Sequence, residues 1–400
     1  MNNNNFNENR SLLKSFYATY SVGFFTIFLI SSMMIYSPVI LELLQITKQE
    51  LAFAVTFFGL FIIISNLLAS RFLIHKIGTT NCLKISRLII CFIPLSVFYF
   101  ENYFFLLISY SFLGIGMGIQ APCVLTQVTI IEKKTNKILT PIFKTSWAFG
   151  SMTAAILSSI TLGLNINPIF YFFILGTVVI IGLIIIHIWG LDKKFDIVDD
   201  SPRFSIPSFN TFLFGAINML QHASMGIIVL WSSVWLLEDL GASLFLAGSI
   251  VFFFNFGSII SNFIAPLLIK LTNEIFVGPC LSIFGSIVLF LCTLTMNVYV
   301  IFIGIAFFGF LTSNMMPIII RQSIKMSFRP IPTTISHVTS LGQSGFVFGP
   351  AIVGYSAEVN GLTFNVYAFC IIFFITSIIL LILMSKKMVG VEGIEPTPPK

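Results

Sequence analysis

The residues of this chain with distinctive chemistry are a histidine and several amides that lie inside long apolar runs. Gln221, His222, Asn255 and Gln343 fall near the middle of their runs, and Asn314 lies about one turn toward one end. An amide without a partner in an apolar surrounding is costly, so each is expected to bond a neighbouring helix or to face a polar cavity. A neutral imidazole can bond a hydroxyl group or take up a proton at about pH 6 to 7. The sequence therefore predicts either a polar site or a set of interhelical hydrogen bonds at these positions.

Acidic residues are absent from the middle of the apolar runs. All 15 of them are predicted in loops, in tails or at run ends, as Glu42, Glu50, Glu238 and Glu358 illustrate. A carboxylate whose pKa is raised by desolvation is the usual proton carrier inside a membrane, so His222 is the remaining titratable candidate. We therefore expect no buried fixed charge and an uncharged bound molecule.

Motifs of catalysis and of metal binding are missing from the sequence. It contains no HExxH and no GxSxG, and its 6 cysteines show no CxxC spacing. Gly114, Gly116 and Gly118 form a GxGxG, but they lie within an apolar run, where close helix packing explains them better than a nucleotide site. We therefore expect no cofactor, no metal and no enzymatic activity. A membrane enzyme that uses the acidic residues of the longest loop is the alternative from a different class.

Composition indicates an integral membrane protein. Hydrophobic residues make up 57% of the 400 positions and charged residues 9%, whereas a soluble domain is roughly half apolar and a quarter charged. The net charge of +6 comes from single basic residues between apolar runs and not from a basic stripe, which excludes a nucleic-acid-binding protein. About 20 apolar residues cross a bilayer. This length predicts twelve helices, over residues 16–41, 51–73, 83–100, 103–126, 143–164, 168–190, 209–236, 242–269, 275–295, 298–320, 332–356 and 363–385.

The basic residues give the predicted orientation. With the N-terminus in the cytoplasm, Lys48 is the single member of the 21 lysines and arginines that falls on the opposite side, in agreement with the positive-inside rule. Both termini are therefore predicted in the cytoplasm. The predicted domains are a cytoplasmic leader, a six-helix bundle, a cytoplasmic linker, a second six-helix bundle and a cytoplasmic tail, over residues 1–15, 16–190, 191–208, 209–385 and 386–400.

The two bundles repeat each other in sequence. At an offset of 196 positions, Phe57, Phe58, Ile63, Ile64, Ser65, Asn66 and Ala69 match Phe253, Phe254, Ile259, Ile260, Ser261, Asn262 and Ala265. At an offset of 195, Gly114 and Gln127 match Gly309 and Gln322. These matches predict an all-α membrane fold with two pseudo-symmetric halves.

Two related six-helix halves, a cytoplasmic linker and a basic turn after the second helix resemble the major facilitator superfamily. The signature turn of that family has a glycine, an acidic residue four positions on, a basic residue and a second glycine. The corresponding positions here are Arg71, His75, Lys76 and Gly78, of which the last two fit. The usual acidic residue of the turn is thus replaced by a histidine.

This degenerate turn resembles a bacterial group of inner-membrane proteins related to fucose permeases. Ser37-Pro38, Thr135-Asn136-Lys137 and the stretch 345–358 strengthen the resemblance, which implies a location in the bacterial inner membrane. Members of that group usually carry an arginine before the proline of the first helix, where this chain has Tyr36. They also carry acidic residues in the seventh helix, where this chain has none.

The resemblance implies a carrier that works by alternating access of its two halves. In the plan of the superfamily, helices 1, 4, 7 and 10 line a central path, and helices 2, 5, 8 and 11 flank it. The implied substrate is a small uncharged solute, such as a sugar or another metabolite, and the implied carrier is a monomer in the lipid bilayer. The implied substrate contacts are Gln221, His222, Asn314, Asn255, Gln343, Ser32, Tyr36, Gln120 and Trp147. The implied cytoplasmic gate consists of Arg71, His75, Lys76, Gly78 and Lys270.

Each of these assignments has a structural alternative. The amides and His222 can form hydrogen bonds between helices, worth roughly 0.6 kcal/mol each, and Trp147 can pack or lie at the membrane interface instead of stacking on a solute ring. Two other functions also fit the sequence. One is a multidrug or metabolite efflux pump with an aromatic lining, and the other is a membrane sensor that binds a solute without moving it.

Overall fold

The chain folds into twelve consecutive helices in a computed structural model, which describes residues 3–135, 139–191, 207–327 and 331–391. We name them in chain order: α1 (Asn3–Ile35 and Ser37–Leu44), α2 (Lys48–Leu68, Ala69–Leu73 and Ile74–Ile77), α3 (Thr79–Ile90 and Ile93–Phe100), α4 (Tyr103–Thr135), α5 (Thr140–Gly163), α6 (Pro168–Trp189), α7 (Phe209–Gly226, Ile227–Trp231 and Ser232–Glu238), α8 (Leu244–Leu271), α9 (Phe276–Cys280 and Leu281–Leu294), α10 (Val298–Thr312 and Met315–Lys325) and Ile331–Val391, which Gly361 divides into α11 and α12. The all-α prediction is confirmed.

Helix α1 begins at Asn3, so most of the predicted leader is helical. Residues 192–206 of the predicted linker and residues 392–400 of the predicted tail lie outside the described residues, as do Asn136 and Lys137 of the resemblance motif.

Nine helices in the described ranges are long and apolar enough to cross a membrane. The other three are α5, α7 and α11, which hold the predicted contacts Trp147, Gln221, His222 and Gln343. The structure is therefore that of a multi-pass membrane protein.

Short polar side chains fix where several helices begin. At α2, Thr47 and Glu50 form a capping box in which each side chain bonds the backbone of the other. Asn167, Ser243 and Asn297 accept hydrogen bonds from backbone N–H groups in the first turns of α6, α8 and α10. These caps satisfy donors that have no partner within the helix.

Equivalent contacts occur in both halves at the positions that repeat in sequence. A Cβ atom added at Gly114 of α4 would overlap the carbonyl oxygen of Phe58 in α2, and one added at Gly309 of α10 would overlap the carbonyl oxygen of Phe254 in α8. Glycine thus allows the two backbones to touch, as small residues do in membrane helix pairs.

The repeated glutamines also act alike. Gln127 Nε2 donates to Thr79 Oγ1 at 2.8 Å, at the start of α3. Gln322 Nε2 donates to Glu274 Oε2, which lies before α9. In each half, the glutamine at the same repeated position therefore links the fourth helix to the start of the third helix.

Valine at Gly309 or at Gly114 is expected to separate the paired helices. The added carbons would meet a backbone oxygen, which cannot rotate away, so we expect each variant to lose about 1–3 kcal/mol of stability. Thermal unfolding of the detergent-purified protein measures this loss. Phe307→Leu, at an exposed position of the same helix, is the control and should unfold near the wild-type temperature. Wild-type stability of both glycine variants would contradict the close contact.

The hydrophobic core is continuous at one end of the molecule and divided at the other. We call the two ends the Lys48 end and the Gly78 end. One cluster that includes Tyr36 and Trp231 joins the N-terminal half, α1–α6, to the C-terminal half, α7–α12, toward the Lys48 end. Toward the Gly78 end each half has a cluster of its own, one around Phe143 and one around Ile318.

Polar contacts follow the same pattern. At the Lys48 end, Lys48 Nζ forms a 2.6 Å ion pair with Glu238 of α7, and its backbone N–H donates to Glu358 of α11 at 2.7 Å. Near the Gly78 end, Glu274 pairs with Arg321 at 3.3 Å and with Lys325 at 3.0 Å, all within the C-terminal half. The halves are thus held together at the Lys48 end.

Candidate functional site

One face of α5 meets the C-terminal half and carries polar residues at intervals of two turns. Ser159 packs against Gly248 of α8, where an added Cβ would lie 2.7 Å from Ser159 Oγ. Ser151 Oγ accepts a 3.0 Å hydrogen bond from Asn255 Nδ2, also of α8. Lys144 lies seven residues before Ser151, hence on the same face and about 10 Å nearer the Gly78 end. This face therefore places a lysine between the halves.

The neighbours of Lys144 support that placement. His222 of α7 and Arg321 of α10 both lie within electrostatic range of Lys144, and both belong to the opposite half. Lys144 is half-buried, so part of its side chain is accessible from the space between the halves. A lysine that reached toward lipid headgroups would not approach these two helices. Lys144 therefore faces the space between the halves.

A buried hydrogen-bond chain crosses between the halves next to this face. Ser31 Oγ of α1 donates to Ser151 Oγ at 3.1 Å, and Asn255 Nδ2 donates to the same oxygen. Asn255 also bonds the Val251 carbonyl of its own helix at 2.8 Å. Asn255, predicted from the sequence, thus lies at the boundary of the halves.

His222 is positioned by close packing of α7 on α11. Its Nδ1 lies 2.8 Å from the carbonyl oxygen of Asn218, and Asn218 Nδ2 donates to the Val338 carbonyl of α11 at 3.1 Å. Gly342 and Gly345 of α11 pack against Asn218 and His222, where added Cβ atoms would collide. The ring of His222 is half-buried. One residue away, Gln221 is 5% exposed and its Nε2 has no acceptor among the described residues.

Two predicted contacts lie inside the N-terminal half. Ser32 Oγ is 2.8 Å from the hydroxyl of Tyr171, and the Tyr36 hydroxyl is 2.7 Å from Thr161 Oγ1. The ring of Tyr36 stacks on that of Tyr171 with 5.4 Å between centroids. Both predicted residues are fully buried, and their partners on α5 and α6 occupy their polar groups.

Gln120 and Asn314 also bond within their own halves. Gln120 Oε1 accepts from Thr26 Oγ1 at 2.5 Å, and Asn314 Nδ2 donates to Ser261 Oγ at 2.8 Å. These contacts match the interhelical alternative. Their role as substrate contacts stays a prediction.

Trp147 and Gln343 keep accessible surface. The indole of Trp147 packs edge-on against Phe143 at 5.6 Å and lies beside Gly23 of α1. It is half-buried and lies one turn from Lys144 along α5. Gln343 is half-buried on α11, between the two glycines that pack on α7.

The expectation of no buried fixed charge is wrong. Arg87 of α3 is 1% exposed, and its Nη2 donates to the Ser21 carbonyl of α1 at 3.0 Å. Arg87 and Lys144 are both close to a helix start predicted from the sequence, at residues 83 and 143, where a basic residue is expected to flank a loop. Helix α3 begins at Thr79, however, so Arg87 lies two turns inside it. The sequence signal that could have located this charge is Gly78, because a helix that begins directly after this glycine includes Arg87.

The predicted gate lies at the Gly78 end. Gly78 has φ 79° and ψ 161°, a conformation that favours glycine, and it joins α2 to α3. Lys76 and Lys270 are exposed. The side chains of Arg71 and His75 lie outside the described part of the structure. The gating role of these residues stays a prediction.

A sequence model of the Major Facilitator Superfamily matches residues 19–209. An uncharacterized MFS-type transporter of Yersinia pestis is 24% identical over 300 residues, which cover 73% of this chain and 74% of the relative. The chain belongs to the major facilitator superfamily. It is therefore a membrane transporter. Within the described ranges, no group of three side chains could hold a metal ion.

Solved structures show the same fold as this superfamily member. The nucleoside transporter NupG has a TM-score of 0.69 at 11% identity and covers 93% of this chain and 98% of its own. A bacterial homologue of the human lysosomal transporter Spinster, in an inward-facing and unoccupied conformation, has a TM-score of 0.71 at 12% identity and covers 97% and 98%. The major facilitator fold is thus confirmed over nearly the whole chain.

Proposed function

We propose that this transporter is a secondary carrier that moves a small polar solute by alternating access between its halves. The observation that carries the proposal is that polar side chains of α5 meet polar side chains of α7 and α8 across the boundary of the halves. Ser151 bonds Asn255 there, and Lys144 lies within electrostatic range of His222. A solute bound at this boundary would be released toward either end as the halves rock.

The proposed orientation places the Gly78 end in the cytoplasm of a bacterial inner membrane. Lys48 is the single basic residue that the sequence assigns to the other side, and in the structure it lies at the closed end with Glu238 and Glu358. The continuous core at this end and the divided core at the Gly78 end correspond to a carrier open toward the cytoplasm.

The proposed solute contacts are Lys144, Trp147, Gln221, His222 and Asn255, which come from both halves. Ser32 and Tyr36 instead hold α1 against α5 and α6. The sequence argument for an uncharged solute rested on the absence of a buried charge, and that premise does not hold. Multidrug efflux fits less well, because a lysine in the path repels the cationic amphipathic compounds that an aromatic lining would bind.

Transport by the purified protein in liposomes tests this function. We expect saturable uptake of at least one member of a panel of sugars, nucleosides and small carboxylates, because each has polar groups that the boundary residues can bond. Asn255→Leu should reduce the flux, whereas Phe256→Leu, an exposed position of the same helix, should not. Solute-dependent thermal stabilisation without any flux would overturn the carrier and favour a sensor.

A further inference from the structure

The path between the halves carries positive charge with no described counter-charge. Lys144 has no ion pair with a described residue. The acidic residues whose side chains are described all lie at helix ends or in connections: Glu42, Glu50, Glu101, Glu132, Glu238, Asp239, Glu274 and Glu358. Glu274 is engaged by Arg321 and Lys325 and does not reach Lys144. An unpaired cation within a membrane protein is expensive and is usually functional.

The surroundings of Lys144 leave its charge available to a bound molecule. It lies on the α5 face that meets the other half, two turns from the Ser151–Asn255 hydrogen bond. The ionisable groups within electrostatic range of it are His222 and the Arg321 guanidinium, both of which are bases. Gln221, next to His222 in sequence, adds a hydrogen-bond donor, since its Nε2 is buried without an acceptor in the described residues. Donors and cations together select an anion.

We propose that the transported solute is a small organic carboxylate whose negative charge is bound by Lys144. This inference rests on the proposed carrier function and names its substrate class. One ammonium group matches the single charge of a carboxylate, whereas a doubly charged phosphate ester is usually held by several cations or by a bidentate arginine. Trp147, one turn from Lys144, supplies an apolar surface for the rest of the solute.

Flux measurements in proteoliposomes test the substrate class. The wild-type protein should take up a carboxylate from a panel of monocarboxylates, phosphate esters, sugars and nucleosides. Lys144→Gln should reduce the kcat/KM of carboxylate uptake by about 10- to 100-fold, the usual worth of a hydrogen bond to a charged group. Lys144→Arg keeps the charge and should retain most of the uptake. Lys14→Gln removes an exposed lysine of α1 and should leave uptake unchanged.

The outcomes separate this inference from the carrier function. Saturable uptake of a sugar or a nucleoside, unaffected by Lys144→Gln, would overturn the carboxylate and leave the carrier intact. Uptake of phosphate esters alone would also overturn it. The absence of flux for every solute would instead overturn the carrier itself. Thermal unfolding of Lys144→Gln near the wild-type temperature would show that a lost uptake reflects lost binding and not misfolding.

Discussion

Valine at Gly354 is expected to stop transport by preventing closure of the Lys48 end. A Cβ atom added at this α11 position would overlap Cβ of Ala52 in α2 and would lie 2.9 Å from the carbonyl oxygen of Lys48. The indole of Trp231 is also close, at 3.3 Å. Backbone on one side and a buried ring on the other leave the valine methyl groups no room. An overlap of this kind costs about 1–3 kcal/mol, which shifts a two-state equilibrium roughly 5- to 150-fold.

Two measurements distinguish a blocked gate from an unfolded protein. Solute flux of Gly354→Val in liposomes should fall, while labelling of Ser151→Cys by an impermeant maleimide added from the Lys48 side should rise above that of Ser151→Cys alone. Tyr355→Val changes the next residue, which is 62% exposed, and is expected to alter neither. Wild-type flux in Gly354→Val would show that this contact does not form during the transport cycle.

The duplication was predictable because the repeated residues make local contacts. Gly114 and Gly309 are the points at which two helix backbones touch, so a larger side chain at either is excluded by geometry. Gln127 and Gln322 each bond the start of a helix that lies next to their own. Such contacts need only helices that are adjacent in the bundle, and a sequence offset is enough to reveal them.

The faces of individual helices were not predictable from the pattern of apolar residues. Ser31 and Ser32 are neighbours in α1, yet Ser31 bonds Ser151 of α5 next to the boundary, whereas Ser32 bonds Tyr171 of α6. Successive residues differ by about 100° around a helix. A general rule that the first helix lines the path does not fix the rotation of the helix, so it could not predict that Ser32 and Tyr36 bond Tyr171 and Thr161 within the N-terminal half. The role of these two residues as substrate contacts stays a prediction.

Depth in the membrane was equally hard to predict for basic residues near loops. Hydropathy locates a helix end only within several residues, and two turns of helix cover about 10 Å. Lys144 and Arg87 both lie within this distance of a helix start predicted from the sequence. Their side chains point into the protein because of how α5 and α3 pack, which depends on contacts distant in sequence. Because of this uncertainty, the sequence did not predict that the charge of Lys144, on which the inferred substrate class depends, lies between the halves.

Arg87 provides a second test with a large expected effect, because its partners compensate only in part for the burial of its charge. One of its nitrogens bonds the Ser21 carbonyl at 3.0 Å, and its Cζ lies 5.5 Å from the centre of the Phe25 ring. Nε and Nη1 have no acceptor in the described residues, and no carboxylate of those residues pairs with this guanidinium. Replacing buried charges with apolar groups of similar volume is often neutral or stabilises a protein by about 1–4 kcal/mol.

Arg87→Met is therefore expected to unfold at or above the wild-type temperature in detergent. Methionine keeps a long flexible chain that can fill the space among α1, α3 and α6, whereas Arg87→Ala leaves a cavity and should unfold at a lower temperature. The two variants remove the same charge and the same hydrogen bond to Ser21, so their difference isolates packing. A loss of stability as large in Arg87→Met as in Arg87→Ala would contradict the argument, and would show that the guanidinium itself holds the three helices together.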